Sequence, residues 1–256
     1  MTNSSSPSVL NAGSTLGILG DGQLGRMLAL AAARLGFDVA ILGPETFSPA
    51  ARVAAHSIVA DYTDDAALQT LAGLCRRVTF EFENVPAAAL ERLQALGVTV
   101  APGPQALAVT QDRVAEKTFA RTVGVGTVDF VPIDSASDIP AALAQLGAPA
   151  LLKTRREGYD GKGQIWIKSA DEAEATFTAI GAKPAILEAR APFVMEVSVI
   201  AARSTTGEMA FYPLGENTHE NGILRTTRVP ARLDADLTLS AHAIARSLLK
   251  GLDYVG

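Results

Sequence analysis

Short apolar segments alternate with segments of helical periodicity between residues 15 and 101, and this alternation restricts the possible folds most strongly. The apolar segments are 15–20, 38–43, 57–60, 78–84 and 98–101. Strands that alternate with helices are typical of a parallel sheet covered by helices, because each helix carries the chain back to start the next parallel strand. The first part of the chain is therefore predicted to be an α/β domain.

A glycine turn follows the first predicted strand, where Gly20, Gly22 and Gly25 form the pattern G-x-G-x-x-G. Such a turn opens a helix whose free N–H groups attract an anion. A dinucleotide site also needs an acid at the end of the second strand, but that strand ends at Gly43 and Glu45 lies beyond a proline. Phosphate binding is therefore favoured over NAD or FAD binding, and a turn used only for helix packing stays an alternative.

Two glutamates lie near the end of the strand predicted at 78–84. Strand alternation would put Glu81 and Glu83 on one face, opposite Phe80 and Phe82. Paired carboxylates suit the crevice at the carboxyl ends of parallel strands. The alternative is an exposed edge strand with solvated glutamates.

The pattern changes after residue 102, where longer strands and fewer helices predict an antiparallel α+β layer. A long strand at 193–203, a return strand at 209–213 and a polar loop at 214–227 are expected, followed by a helix at 235–250. Residues 251–256 look like the start of a strand, so the sequence is expected to stop early.

A glycine-rich segment at 151–168 is predicted to form two strands joined by a turn. The glycines that let the turn bend are Gly158, Gly161 and Gly163, and the cations beside them are Lys153, Arg155, Arg156 and Lys162. Clustered cations repel one another unless solvent or an anion compensates them. The segment therefore predicts either a phosphate-binding loop or a solvated basic hairpin.

Charge and cysteine content exclude several classes of protein. The net charge of −5 gives no global attraction for nucleic acid or an anionic membrane, and no apolar run reaches membrane-spanning length. Cys75 is the single cysteine, which excludes a disulfide framework and favours a cytoplasmic enzyme. His219 with Glu216 and Glu220 lacks the ligand set of a zinc site, so a loop histidine is expected there.

Several motifs together resemble those of the ATP-grasp enzymes, and specifically the N5-carboxyaminoimidazole ribonucleotide synthase family. They occupy residues 17–27, 79–84, 111–113, 153–164, 188–196 and 216–224. The resemblance extends over residues 14–256. It implies a flexible tail at 1–13, a Rossmann-like pre-ATP-grasp domain at 14–110 and an ATP-grasp domain at 111–256 that is incomplete at its C-terminal end.

The resemblance also implies a reaction. ATP and bicarbonate would form carboxyphosphate, which delivers its carboxyl group to the exocyclic amine of aminoimidazole ribonucleotide in purine biosynthesis, and ADP and phosphate would leave. A formate-dependent glycinamide ribonucleotide transformylase-like ligase and a non-catalytic nucleotide-binding module are the alternatives.

Site residues are carried over from the matching motifs. Those implied to bind ATP are Arg113, Lys153, Gly158, Tyr159, Asp160, Gly161, Lys162, Gly163, Gln164, Glu188, Ala189, Arg190, Ala191, Glu196 and His219. Those implied to bind the ribonucleotide are Gly22, Gln23, Leu24, Glu81, Glu83, Tyr159, Asp160 and Lys162. Lys153, Asp160 and Lys162 are assigned to catalysis, while Glu81, Glu83 and Asp160 are candidates for the proton acceptor.

Mg²⁺ is implied as the metal that accompanies ATP, with ligands expected beyond Gly256, so the 256 residues alone are expected to be nearly inactive. A homodimer is implied by the family and not by any feature of the sequence.

Overall fold

The computed structural model describes residues 10–158, 161–220 and 222–256. The chain forms two compact units, unit 1 up to Leu107 and unit 2 from Ala108. The predicted site residues Tyr159 and Asp160 lie outside the described residues.

Unit 1 alternates strands and helices as predicted, except that no helix lies between its second and third strands. Its elements are β1 (Thr15–Leu19), α1 (Gln23–Arg34), β2 (Asp38–Gly43), β3 (His56–Val59), α2 (Asp65–Leu74), β4 (Arg77–Phe80), α3 (Ala87–Ala95) and β5 (Thr99–Val100). The strands form a parallel sheet in the order β3-β2-β1-β4-β5. The next helix, α4 (Pro104–Thr110), contains the point at which the chain passes into unit 2.

Two helical layers cover the sheet of unit 1. Ile18 and Ile41 are buried with α1 on one face, whereas Leu19 and Leu42 are buried with α2 and α3 on the other. Successive strand residues point to opposite faces, so these nearly continuous apolar segments fill both cores. Asp64 caps α2 by accepting a hydrogen bond from the Ala67 N–H at 3.0 Å.

Unit 2 is built from mixed elements. These are α5 (Arg113–Thr122), β6 (Phe130–Ile133), α6 (Ile139–Leu146), β7 (Ala150–Thr154), β8 (Gln164–Ile167), α7 (Ala173–Ala179), β9 (Ala185–Ala189), β10 (Glu196–Ser198), β11 (Ala201–Arg203), β12 (Met209–Phe211), β13 (Gly215–Glu220), β14 (Ile223–Arg228) and α8 (Ala235–Gly251). Antiparallel sheets form in the orders β6-β9-β7-β8 and β10-β13-β14, with β11 and β12 as a further pair. The predicted fold class, α/β followed by α+β, is confirmed.

Some local predictions for unit 2 are wrong. The expected long strand at 193–203 is divided into β10 and β11, which belong to different sheets. The expected polar loop at 214–227 is instead the hairpin of β13 and β14. Strands are recognised in a sequence by alternating apolar residues, and this segment is mainly polar. Backbone hydrogen bonds, which do not depend on side-chain type, pair the two strands. Among the described residues, no helix is long and apolar enough to cross a membrane.

Candidate functional site

One face of the sheet β6-β9-β7-β8 carries the polar residues predicted for nucleotide binding. Leu152, Ile167 and Leu187 point to the other face, where they pack in the buried core with α6 and α7. The alternate positions are cross-strand partners: Leu151 pairs with both Trp166 and Glu188, and Lys153 pairs with Gln164. Strand alternation therefore puts these five residues, which we call the polar sheet face, on the side away from that core.

A buried carboxylate with two lysines lies at the centre of the polar sheet face. The Glu188 side chain is only 6% exposed, and its Oε2 accepts a hydrogen bond from Lys153 Nζ at 2.7 Å. Its Oε1 lies 3.1 Å from Nζ of Lys117 in α5, although the angles are poor for a hydrogen bond. Burial alone would raise the pKa of Glu188, but Lys153 and Lys117 outweigh it and keep that pKa below its ordinary value.

A cavity of about 370 Å³ opens beside this cluster. Its lining residues are Val128, Leu151, Lys153, Trp166, Glu188, Ala189, Arg190, Ala191, Pro192 and Phe193. Strand β9 ends at Ala189, so the main chain of Arg190 and Ala191 follows outside the sheet ladder. The cavity thus joins apolar surface, main-chain polar groups and a charged cluster, which is the usual composition of a ligand site.

The turn between β7 and β8 requires its glycines. Gly163 has a φ of +68°, and a Cβ there would lie 2.7 Å from Oγ1 of Thr154. The Arg113 Nη2 group donates a hydrogen bond to the Gly158 carbonyl at 3.3 Å. Gly222, in the β13–β14 hairpin, lies so close that its Cβ would be 3.1 Å from the Gly161 Cα. Lys162 is exposed on this turn.

The basic residues that follow β7 face a different partner. Asp112 caps α5 and accepts hydrogen bonds from Arg155 Nε at 3.1 and 3.0 Å, while Arg156 Nε lies 3.7 Å from it. Burial by itself would raise the pKa of Asp112, but Arg155 and the helix amides lower it overall. With Lys183, these residues line a separate cavity of about 410 Å³. The cations of the 151–168 segment are therefore divided between two environments.

Glu196 and His219 come together on neighbouring strands. The His219 Nδ1 lies 2.8 Å from Glu196 Oε2, because β10 pairs with β13. Among the described residues, no group of three or more His, Cys, Asp or Glu side chains is arranged to bind a metal ion.

In unit 1, the predicted substrate residues line one cavity of about 430 Å³. The lining residues are Asp21, Gly22, Gln23, Leu24, Pro44, Glu45, Tyr62, Glu81, Phe82 and Glu83. The Gly22 N–H donates a hydrogen bond to Glu81 Oε1 at 3.2 Å. A carboxylate of the chain itself therefore binds an amide at the start of α1, where the sequence favoured an external phosphate.

The alternation predicted for residues 78–84 fails after Phe80, because β4 ends there. Phe82 consequently lines the same cavity as Glu81 and Glu83, and its ring centroid lies 6.2 Å from that of Tyr62. Burial, with smaller contributions from Asp21 and Glu83, raises the pKa of Glu81. Burial and the same acidic surroundings raise the pKa of Tyr62 to about 12.

Three residues at these sites are not among those predicted from the sequence: Tyr62 and Trp166 in the cavity linings, and Lys117 beside Glu188. Tyr62 and Trp166 lie outside the motifs that carry the resemblance, although Trp166 alternates in register with Gln164. Lys117 lies one helical turn after Arg113, a spacing that is typical of an exposed helix face. Only the contact with Glu188 distinguishes Lys117 from a surface lysine.

Comparison with protein families gives two matches along the chain. Residues 14–111 match the ribonucleotide synthetase preATP-grasp domain, and residues 118–256 match the ATP-grasp domain. Among solved structures, an ADP complex of N5-carboxyaminoimidazole ribonucleotide synthetase has a TM-score of 0.91 at 40% identity, covering 97% of this chain and 66% of that chain. The Aspergillus clavatus synthase in complex with ADP and 5-aminoimidazole ribonucleotide has a TM-score of 0.86 at 29% identity, covering 96% and 64%.

Curated relatives agree with these matches. The N5-carboxyaminoimidazole ribonucleotide synthase of Brucella melitensis is 48% identical over 96% of this chain and 68% of its own length. The Pseudomonas aeruginosa enzyme of the same name is 43% identical over 94% and 66%. The chain thus spans about two thirds of the length of these relatives. It belongs to the N5-carboxyaminoimidazole ribonucleotide synthase family of ATP-grasp enzymes.

Proposed function

We propose that the protein uses ATP and bicarbonate to carboxylate 5-aminoimidazole ribonucleotide, giving N5-carboxyaminoimidazole ribonucleotide. The observation that carries the proposal is the Lys117–Glu188–Lys153 cluster beside the 370 Å³ cavity, in a chain of this family. An anionic nucleotide needs cations for its phosphates and an apolar pocket for its base. Both are present within unit 2.

The nucleotide is proposed to bind along the polar sheet face. Lys153 and Arg113 would contact the phosphates, with residues 158–164 folded over them, and the main chain of residues 188–191 would bind the adenine. Glu196 would accept hydrogen bonds from the ribose hydroxyls, and His219 would hold Glu196 in position, since their side chains are 2.8 Å apart. These roles are carried over from the motifs of the family, and the charges of the side chains support them.

The chemistry requires two group transfers. A bicarbonate oxygen attacks the γ-phosphorus of ATP, the bond to the β-phosphate oxygen breaks, and ADP leaves with both electrons of that bond. Carboxyphosphate then releases its carboxyl carbon to the exocyclic amine, phosphate leaves, and the amine loses a proton. Catalysis of phosphoryl transfer depends mainly on positioning and on cations that stabilise the transferring oxygens. Lys153 is proposed to supply that charge, together with Lys162.

The ribonucleotide is proposed to bind in the 430 Å³ cavity of unit 1, against Gly22, Gln23, Leu24, Glu81 and Glu83. Carboxylates there favour the hydroxyl and amine groups of the substrate and disfavour its phosphate. The raised pKa of Glu81 makes it a stronger base than an ordinary glutamate, which suits it to accept the amine proton.

Mg²⁺ is proposed to accompany ATP, since metal ions neutralise nucleotide phosphates in this class of reaction. The described side chains do not form a group that fits it, so no step is assigned to the metal. A homodimer is also proposed and rests on the family alone, and a cytoplasmic location is proposed from the family and the single cysteine.

The test is ADP release by a protein extended to the full length of the relatives, given ATP, Mg²⁺ and labelled bicarbonate with and without 5-aminoimidazole ribonucleotide. We expect release that depends on the ribonucleotide and is matched by acid-labile label in the product. Lys153→Met should lower kcat by about 10²–10³, as removal of one charge-stabilising group typically does. Equal ADP release without the ribonucleotide, and no carboxylated product, would contradict the proposed function.

A further inference from the structure

Trp166 is the single tryptophan of the chain and is left half exposed on a strand, with 48% of its surface accessible. It is the cross-strand partner of Leu151, and both line the 370 Å³ cavity. A large aromatic group that remains open to solvent beside an apolar wall can bury more surface only when a ligand covers it.

The polar sheet face also has a direction. Trp166 and Leu151 are at one end, whereas Gln164 and Lys153 lie two residues along the strands, about 7 Å away at the usual rise per residue. Strand β7 ends at Thr154, directly after Lys153, and the N–H of Thr154 donates a hydrogen bond to the carbonyl of the turn glycine Gly163. Apolar and aromatic surface therefore lies at one end of the site, and positive charge lies at the other. A nucleotide has the same polarity, with a flat base at one end and phosphates at the other.

We propose that Trp166 is a base-binding residue that stacks on the adenine of the nucleotide and raises its affinity. The inference rests on the proposed ATP binding and adds to it a residue that the family resemblance did not supply. Aromatic rings stack on any base through their π-faces, so Trp166 would strengthen binding, while main-chain groups at 189–191 would distinguish adenine from other bases. Phe193 lines the same cavity and is 64% exposed.

The test distinguishes the contribution of the base to the affinity from that of the phosphates. Calorimetry would measure the affinity of the protein for ADP and for inorganic tripolyphosphate, which has charge but no base. In Trp166→Ala we expect about a five- to 150-fold weaker affinity for ADP and an unchanged affinity for tripolyphosphate. Trp166→Phe should restore most of the loss, and Lys153→Met should weaken both ligands. Tyr212→Ala is the matched control, because Tyr212 is an exposed aromatic residue outside the lining of this cavity.

Fluorescence gives a second measurement, since all tryptophan emission comes from Trp166. ADP should change that emission, and tripolyphosphate should not. ADP binding with equal affinity in Trp166→Ala would overturn the role of Trp166 and leave the proposed function standing. A selective loss of ADP affinity in Trp166→Ala, together with no carboxylation by a protein extended to the full length of the relatives, would support Trp166 and overturn the proposed function. No ADP binding by the unaltered protein would overturn both.

Discussion

Glu188 is the residue whose surroundings are most unusual for its type. A carboxylate that is 6% exposed would be costly to ionise alone, yet two lysines contact its separate oxygens at 2.7 and 3.1 Å. Lys153 is therefore held in a fixed position, but it shares Glu188 with Lys117. This sharing matters for ligand binding. Because Glu188 also pairs with Lys117, its attraction for Lys153 is weaker, and Lys153 can bind a phosphate more easily.

Lys117→Met tests whether the ion pairing of Glu188 with both lysines affects ADP binding. With Lys117 gone, Glu188 should bind Lys153 alone and compete with the phosphates for it, so we expect ADP affinity to fall on the order of tenfold, about 1.4 kcal/mol. The free energy of unfolding at pH 7 should fall by about 1 to 2 kcal/mol, less than for an unpaired buried charge, since Lys153 remains. Calorimetry and urea unfolding would measure the two effects.

Lys250→Met is the matched control, because it removes the same charge from an exposed position at the end of α8. Equal ADP affinities in the two variants would contradict the prediction.

The pH dependence of stability gives a further check. Since the pKa of Glu188 is lowered in the folded protein, its pairs stabilise the fold above the ordinary glutamate pKa, and that stability is lost as the pH falls through the lowered value. Lys117→Met should lose less stability over this acid range than the unaltered protein.

At the scale of elements, the β7–β8 turn shows which glycines are structural. Gly163 combines a φ of +68° with a close approach to Thr154, and its carbonyl accepts the Thr154 N–H hydrogen bond at 2.8 Å. Gly73 in α2 has open space around its Cβ position. Both are glycines in the sequence, but only the first is required by its surroundings.

We therefore expect opposite effects from the same substitution at these two positions. Gly163→Ala should lower the free energy of unfolding by about 1 to 3 kcal/mol, because alanine is strained at positive φ and would collide with Thr154. Gly73→Ala should raise it by about 0.5 to 1 kcal/mol, because alanine favours a helix. Thermal and urea unfolding would measure both. A Gly163→Ala protein as stable as Gly73→Ala would show that the turn is not constrained as described.

At the scale of the whole molecule, net charge and local charge oppose each other. The chain carries a net charge of −5, which repels a nucleotide, whereas Arg113, Lys117 and Lys153 surround the proposed phosphate end of the site. Screening acts on exposed charges beyond about 8–10 Å at physiological salt. Whether added salt raises or lowers the affinity for ADP therefore shows whether the net charge of the protein or the local cations dominate binding.

We expect the local cations to dominate, so that ADP affinity falls on the order of threefold to tenfold between 50 and 500 mM KCl. Adenosine, which has the base but no phosphate, is the control and should bind with an affinity that salt does not weaken. Calorimetric titrations at several salt concentrations would measure both ligands. An ADP affinity that rises with salt would show that the net negative charge of the protein controls binding.

The sequence by itself determined the fold class and the order of motifs, because both depend on local signals: strand and helix periodicity, glycine spacing and the residues that match the family. The same signals supplied Lys153, Glu188 and the glycine turn. They failed at 214–227, where a hairpin with polar side chains looks like a loop, and past Phe80, where the strand ends early.

Only the tertiary structure decided which side chains share a partner. Lys117 joins Glu188 although they are 71 positions apart in the chain, Arg155 turns to Asp112, and Glu81 binds the Gly22 amide. Trp166 becomes part of a cavity wall through its register with Leu151. Such contacts join residues distant in sequence, and their energies depend on burial and distance, which a local pattern does not contain.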